Sequence, residues 1–553
     1  MSSLIKESWL TRQRSANRTV FILIALSVIM QMYPVFFTQP VRFMLRISVS
    51  NILIIVSLSG IYRCLAGKLF ALIVVGFLTL NFSIAFCSWQ VYQGPFNIVF
   101  AMSILTTQWQ EVKNMAGMYI FYLPIVLAYF IITFYTIHYT AKHISKKSQI
   151  TFSILLLLFI IWFSFDACKK VREDNLGGYF PAKARFIVNT PFYVLSDFII
   201  ARRDNQFAGQ VNNFKIDPAT FTTTETGIET YIIVIGESAR RSNMSVYGFG
   251  QDTTPVAKSL KPQSLFFKQA IAPASGTIIS VPIILSRASA ENFTAATFSD
   301  NIINLANAAG YDTHWYSAQG LSGKYNNYIS AIASGSHHSE WIPNTYDDEL
   351  LPYLDKALRN KGKKLIVLHI NGSHEISCTH FPASAAIINT GNKYEDCYNN
   401  SILFTDTLLG NIVKRVKTES ASLLYFSDHG LEKNPGLRAL YVHGSETASK
   451  EAYDVPQFIW YSASALASQP RKIGEIDEPY STGNNYELIL TWLGISTGDT
   501  LCHSPLSSCY HPQTSIPVTD GGRYKIYEYK DLRENFSSPK RDIPYRTMTP
   551  NPL

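Results

Sequence analysis

Charged residues are scarce in this sequence. Asp, Glu, Lys and Arg make up 16% of its 553 residues and hydrophobic residues 47%, whereas soluble domains average about 25% charge. That balance excludes a wholly soluble chain, and the length exceeds one ordinary domain. No C-x-x-C pair occurs among the seven cysteines, which removes the common structural-zinc spacings. The first 18 residues have no short apolar core with a small-residue cleavage site, so they are expected to stay in place rather than be removed as a secretory signal. No internal repeat is visible. The net charge of +8 is spread through the chain and partly explained by membrane orientation, so no nucleic-acid partner is expected.

What is present is a set of five apolar runs, near 19–37, 46–62, 69–89, 117–139 and 150–167. Each is close to the length that crosses a hydrocarbon core of about 30 Å. Lys6, Arg12, Arg14 and Arg18 precede the first run against Glu7 alone, Arg63 and Lys68 flank the second loop, and Lys142, Lys146 and Lys147 crowd the fourth. Basic residues collect on the cytoplasmic side, so the N-terminus is expected inside and the long C-terminal part exported. Arg42 and Arg46, beside the first outer loop, count against this orientation.

Cysteine usage agrees with export. Cys64, Cys87 and Cys168 lie in or beside the apolar runs, and Cys378, Cys397, Cys502 and Cys509 fall in the C-terminal part. An even number suits an oxidising compartment, and three connectivities are open. Short loops favour pairing Cys378 with Cys397 and Cys502 with Cys509; zinc binding by the four is the competing reading.

The expected domains are a transmembrane domain at 1–167, a connector along the membrane surface at 168–227, and a catalytic domain at 228–553. From Tyr231 onward, β-rich apolar runs alternate with helical ones: "YIIVIG", "NIINLANAAG", "DTHWYS", "DELLPYLDKALRNK", "KLIVLHI", "NSILFTDTLLGNIVKRVK", "ASLLYFSD" and "QFIWYS". Such alternation predicts an α/β domain with a mostly parallel sheet, and the tail after Cys509 has no clear period.

In such sheets ligands bind beyond the carboxyl ends of the strands. "YIIVIG" delivers Glu237 there, "KLIVLHI" leads to "NGSH" with His374, and "ASLLYFS" delivers Asp428 and His429. Neighbours on a regular strand face opposite ways, so Asp428 and His429 can meet one ion only where the strand breaks; Gly430 is expected to allow the break. Two carboxylates and an imidazole suit Zn²⁺, and a polar turn is the alternative. His369, within the run "VLHI", is expected in the core.

The motifs "VIGESAR" (234–240), "SGTIISVP" (275–282), "NGSH" (371–374), "FSDHG" (426–430) and "VHG" (442–444), taken in this order, resemble those of the periplasmic phosphoethanolamine transferases. That family includes the lipid A-modifying and mobile colistin-resistance enzymes of the sulfatase superfamily. The resemblance covers nearly the whole chain, and the sequence is most similar to a less characterised branch. It implies five membrane helices before an alkaline-phosphatase or sulfatase-like domain, in the inner membrane of a Gram-negative bacterium with that domain in the periplasm. It implies Zn²⁺ held by Glu237, Asp428, His429 and Thr277, with Thr277 as the nucleophile. The bland alternative for Thr277 is a helix cap.

The same resemblance implies that His374, His443 and Lys324 contact the phosphoryl group, the histidines alternatively binding a further zinc; on the residues alone, loop histidines and a solvated surface lysine are the alternatives. It implies that Ser103, Thr107 and Glu111, spaced by four on one expected helix face, help hold the lipid head group, with Ser103 where the family has Asn, and a solvated amphipathic face is the alternative. The implied reaction takes phosphoethanolamine from phosphatidylethanolamine to lipid A, lipopolysaccharide core or a periplasmic glucan, by a monomer among membrane lipids. A glycerophosphate transferase or phosphodiesterase of the same superfamily, or a non-catalytic envelope scaffold, are the alternatives. The better-known enzymes flank the nucleophile with cysteines. Here "APASGTIISVPII" has none, so packing of Val281, Ile283 and Ile284 alone is expected to hold that loop.

Overall fold

A computed structural model describes residues 2–37, 39–107, 109–173, 186–209, 211, 216–293, 295–319, 327–342, 346–434, 441–498, 501–520, 525–539 and 543–547. The chain divides into two compact units, one from 1–101 with 116–201 and the other mainly from 102–115 with 202–551. Of the described residues in the expected connector, 168–173 and 186–201 group with the first unit and 202–209, 211 and 216–227 with the second.

The first unit contains α1 (Ser2–Phe36), α2 (Val41–Ile61) and α3 (Leu65–Tyr92). α4 (Ile98–Thr106) and α5 (Trp109–Tyr119) fall partly in the second unit, and α6 (Leu123–His143) and α7 (Lys146–Glu173) return to the first. Five spans, at Gln13–Phe36, Val41–Ile61, Leu65–Tyr92, Met115–His143 and Lys146–Lys169, are long and apolar enough to cross a membrane, as the apolar runs predict. Lipid is as apolar as leucine, so close packing and interhelical hydrogen bonds rather than the hydrophobic effect hold helix neighbours together. Ser27 and Thr133 share a 2.9 Å hydrogen bond, and Tyr129 Oη donates to Gln31 at 2.6 Å.

The core of the second unit is an eight-stranded sheet: β1 (Thr230–Gly236), β2 (Ser264–Ile271), β3 (Asp312–Ser317), β4 (His338–Trp341), β5 (Lys364–His369), β6 (Ala421–Ser427), β7 (Asp454–Tyr461) and β8 (Gly474–Ser481). Its order is β8-β2-β7-β6-β1-β5-β3-β4. Every residue of β1, β5 and β6 is buried, the unbroken apolar pattern that parallel strands need when both sheet faces are covered. His369 is buried in β5 as expected. The run "QFIWYS" departs from the parallel expectation, because β7 lies antiparallel to both β2 and β6 while the other pairings are parallel.

One face is covered by a helix at Lys393–Val416, whose Ile402, Leu408, Leu409 and Ile412 pack into the core with Val234, Leu368 and Tyr425. The pattern starts where Asn392 caps the helix by accepting from Glu395 N. Two disulfides, Cys378–Cys397 and Cys502–Cys509, join the pairs that short loops favour. The tail has structure that its sequence does not announce. Pro517–Thr519, Lys525–Glu528 and Arg546–Thr547 form a small antiparallel sheet.

Candidate active site

β1 and β6 are paired so that Gly236 opposes Ser427. The next residues, Glu237 and Asp428, therefore leave the sheet side by side, and Asp428 N donates to Gly236 O at 3.1 Å. Ser238 then turns into the left-handed region, with φ 57°, a conformation that non-glycine residues hold only when surroundings enforce it. Here they do. Ser238 N donates to Asp428 Oδ1 at 3.0 Å, its hydroxyl donates to Glu237 Oε1 at 2.5 Å, and its carbonyl accepts from Tyr398 Oη at 2.7 Å.

Gly430 serves a different purpose from the one its sequence position suggests. It is not among the glycines with positive φ; a Cβ there would collide with the backbone carbonyl of Glu451. The break after β6 thus needs an absent side chain, not a flexible backbone. Gly372 needs both. Its φ is 52°, and a Cβ would lie 2.8 Å from the Glu237 carbonyl oxygen.

Thr277 opens a helix at Thr277–Leu285, with Gly276 before it in the cap position. The hydroxyl does not cap the helix. Thr277 Oγ1 donates to Glu237 Oε2 at 3.0 Å and sits 3.1 Å from His429 Nε2. Val281, Ile283 and Ile284 are buried as expected, but packing does not hold the loop alone. Ser275 N donates to Thr519 O, Gly444 N donates to Ser275 O, and Ser280 Oγ donates to Asp428 O. The C-terminal sheet therefore supports the loop that the missing cysteines leave unclamped.

Glu237, Asp428 and His429 are 1%, 0% and 0% exposed and present donor atoms within 4.8 Å of one another. His429 Nε2 lies 3.3 Å from Glu237 Oε1 and 3.4 Å from Asp428 Oδ2, and Asp428 Oδ2 has no hydrogen-bond partner. Burial opposes charge on every member of the trio. It pushes the Asp428 carboxyl up to about 7, helped by the charge of Glu237. His429 is raised to about 9 against its burial by the two carboxylates. Two buried carboxylates, one with an orphaned oxygen, and an imidazole fit a divalent cation, which would neutralise what the protein alone balances with protons.

His443 stacks on His429, with ring centroids 4.7 Å apart, and His374 lies 5.6 Å from His443. The fold thus brings both expected histidines to the trio. Lys324 lies outside the described residues. Ser103, Thr107 and Glu111 do not share one helix face: Ser103 is on α4, Thr107 is in the break before α5, and Glu111 is on α5. Thr107 Oγ1 turns back to donate to Ser103 O at 2.6 Å, an alternative to the helical ladder that suits a helix end.

Three contributors escape sequence reading. Gln319 donates to Glu237 Oε2 at 3.0 Å, and it follows β3, so the strand-end rule reaches it. Glu375, beside His374, accepts from His443 Nδ1 at 3.0 Å. Asp347 accepts from Asn371 N and Gly372 N at 2.7 and 2.9 Å and shapes the loop that carries His374.

A mostly parallel sheet with a hydroxyl nucleophile candidate against a metal-type trio at its carboxyl end defines a domain of the sulfatase class. The Sulfatase family model matches residues 229–495, and the model of the Transferase YhbX N-terminal domain matches residues 10–212. The putative transferase YhbX of Escherichia coli K12 is 34% identical over 471 residues, covering 84% of this chain and 85% of its own. The phosphoethanolamine transferase OpgE of the same strain is 30% identical over 360 residues, covering 62% of this chain and 66% of its own. The C-terminal periplasmic domain of EptC from Escherichia coli, solved in complex with Zn, shares the fold with a TM-score of 0.51 at 23% identity, covering 56% of this chain and 96% of that one. The chain belongs to the sulfatase-domain family, in the branch of YhbX, with phosphoethanolamine transferases among its relatives.

Proposed function

We propose that this chain transfers phosphoethanolamine from phosphatidylethanolamine to a lipopolysaccharide or another periplasmic glycan through a covalent intermediate on Thr277. The observation that supports this most is the Thr277 hydroxyl, set between Glu237 Oε2 and His429 Nε2. The names of the relatives supply the group transferred, and the five apolar spans give access to a lipid donor. The EptC domain, described as periplasmic, supports a periplasmic catalytic unit on an inner-membrane anchor.

Glu237, Asp428, His429 and Thr277 would hold Zn²⁺, the ion in the EptC complex. Bound there, it would lower the pKa of the threonine hydroxyl and draw charge from the transferring phosphoryl group. Thr277 Oγ1, its proton released to solvent, forms a bond to phosphorus as the phosphorus–oxygen bond to diacylglycerol breaks; an acceptor oxygen then forms its bond to phosphorus as the bond between phosphorus and Thr277 Oγ1 breaks. Gln319 keeps Glu237 Oε2 turned toward that hydroxyl. Glycine at position 276 leaves the first amides of the nucleophile helix without a side-chain cap, suited to an anionic phosphoryl group. Glu375 engages His443 Nδ1, so His443 Nε2 is the atom free to hand a proton to the leaving alkoxide and to take one from the acceptor. Ser103, Thr107, Glu111, His374 and Lys324 remain proposed contacts to the phosphoethanolamine head group.

Incubation of the full chain with phosphatidylethanolamine and no acceptor tests this reading. Diacylglycerol should appear, and the peptide containing Thr277 should gain one phosphoethanolamine. Modification of Ser275 or Ser280 instead would overturn the residue, and no modified peptide would overturn the covalent route. Mass spectrometry of lipopolysaccharide and glucans from cells with and without the gene identifies the acceptor.

A further inference from the structure

At the amino end of the sheet, opposite the site above, three nitrogen and oxygen donors converge. The cause is strand geometry. Asp312 and His314 are two residues apart on β3 and share a face, and His314 is the register partner of His338 on β4, which puts both rings on that face. The rings stack with centroids 4.6 Å apart. Asp312 Oδ2 lies 2.9 Å from His314 Nε2, and Asp312 Oδ1 lies 3.3 Å from His338 Nε2. His337 adds a third imidazole, its Nδ1 3.7 Å from Asp312 Oδ1.

We propose that Asp312, His314 and His338 form a second divalent-cation site, of zinc type, which fastens the edge strand β4 to β3. Ligands about 2.1 Å from a tetrahedral zinc lie roughly 3.4 Å apart; Asp312 Oδ1 is 3.3 Å from His338 Nε2, and one donor atom from each of the three residues lies within 4.8 Å of the others. Two imidazoles with one carboxylate select Zn²⁺, Ni²⁺ or Cu²⁺ over the hard cations Mg²⁺ and Ca²⁺. The surrounding groups suit ligation. Tyr316 Oη lies 3.1 Å from His314 Nδ1, in place to accept its proton and leave Nε2 as the donor atom, while Asn360 Nδ2 donates to Asp312 Oδ2 at 2.7 Å. His314 is 2% exposed at its side chain but His338 is 52% exposed, so the site is rigid on one side and open to solvent on the other. A four-residue edge strand has few ladder hydrogen bonds of its own, and a cation across β3 and β4 would supply the missing restraint.

The test uses the full-length chain in detergent with Glu237→Ala and Asp428→Ala disabling the other site. After chelation the protein is titrated with ZnCl₂, and bound metal is counted by mass spectrometry. Zinc should bind, and His338→Ala added to this background should weaken that binding by about 10–100-fold, at least the loss typical for removing an outer partner of a metal ligand. Because His338 is half exposed, this substitution leaves the fold in place. Amide exchange of residues 338–341 should slow on adding zinc in the background protein and not in the His338→Ala variant. Zinc affinity unchanged by His338→Ala, or exchange at 338–341 indifferent to zinc, would overturn the proposal.

Discussion

Glu237 and Thr277 are 40 residues apart in the chain, yet Thr277 Oγ1 donates to Glu237 Oε2 at 3.0 Å. One residue follows a central strand and the other starts a helix, so this contact exists only when sheet and helix are both formed.

Thr277→Ala removes the proposed attacking oxygen and keeps the buried helix behind it. Transfer should fall by roughly 10³-fold or more while zinc content stays at the wild-type level. Thr277→Ser should keep measurable transfer at a lower rate, because the hydroxyl survives with more rotamer freedom. Diacylglycerol release under saturating phosphatidylethanolamine reads both variants.

Asp428→Ala should strip most of the metal from the trio. The buried Oδ2 has no hydrogen-bond partner and faces His429 Nε2 at 3.4 Å, an arrangement that suits a shared cation. Metal analysis of the purified chain checks the loss. Zinc added back to chelated wild-type protein should raise its melting temperature, because it binds the folded state alone; full retention of zinc by Asp428→Ala would disprove the assignment.

Gly372→Ala should damage the site without touching a ligand. A left-handed φ costs an L residue about 1–2 kcal/mol, and the new methyl would press on the backbone of Glu237. Lower melting temperature together with weaker zinc binding is expected, measured on one preparation.

Asp347 offers a pH test. Burial pushes its carboxyl up to about 7, against the two amides that donate to it. The folded state therefore favours the protonated form: this contribution to stability is full below pH 3.8, the ordinary value, and is lost as pH rises through 7. Asp347→Asn cannot ionise and gives up one acceptor. It should start less stable than wild type at pH 4 and gain on it as pH approaches 8, read from melting temperatures across that range.

Serine replacement of Cys378 and Cys397 should cost about 2–4 kcal/mol, since the bond closes a 19-residue separation and fastens the segment after His374 to the long helix at 393–416. The same change at Cys502 and Cys509, separated by 7, should cost less. Melting temperatures of the two double variants give the comparison, and non-reducing peptide maps check the pairing.

The sequence alone determined the features that depend on local pattern. Apolar runs long enough for a bilayer are read one segment at a time, and all five appear as spans. Continuous buried strands such as "YIIVIG" and "ASLLYFS" are legible for the same reason, and each ends one residue before a carboxylate of the buried trio, Glu237 or Asp428. What only the tertiary structure decided depends on which segments become neighbours. β2 and β8 carry exposed charges and have no clean run, yet β2 pairs with β7 and β8 with β2. The tail supports Ser275 through Thr519, more than 200 residues away, and no periodicity signals such a contact. The helix break at Thr107 turns a four-residue spacing into three separate positions. Gly430 is required by the carbonyl of Glu451, which the chain brings close only after β6 and β7 pair. Patterns of period 2 or 3.6 report the burial of a face, whereas register and close approach belong to two segments at once.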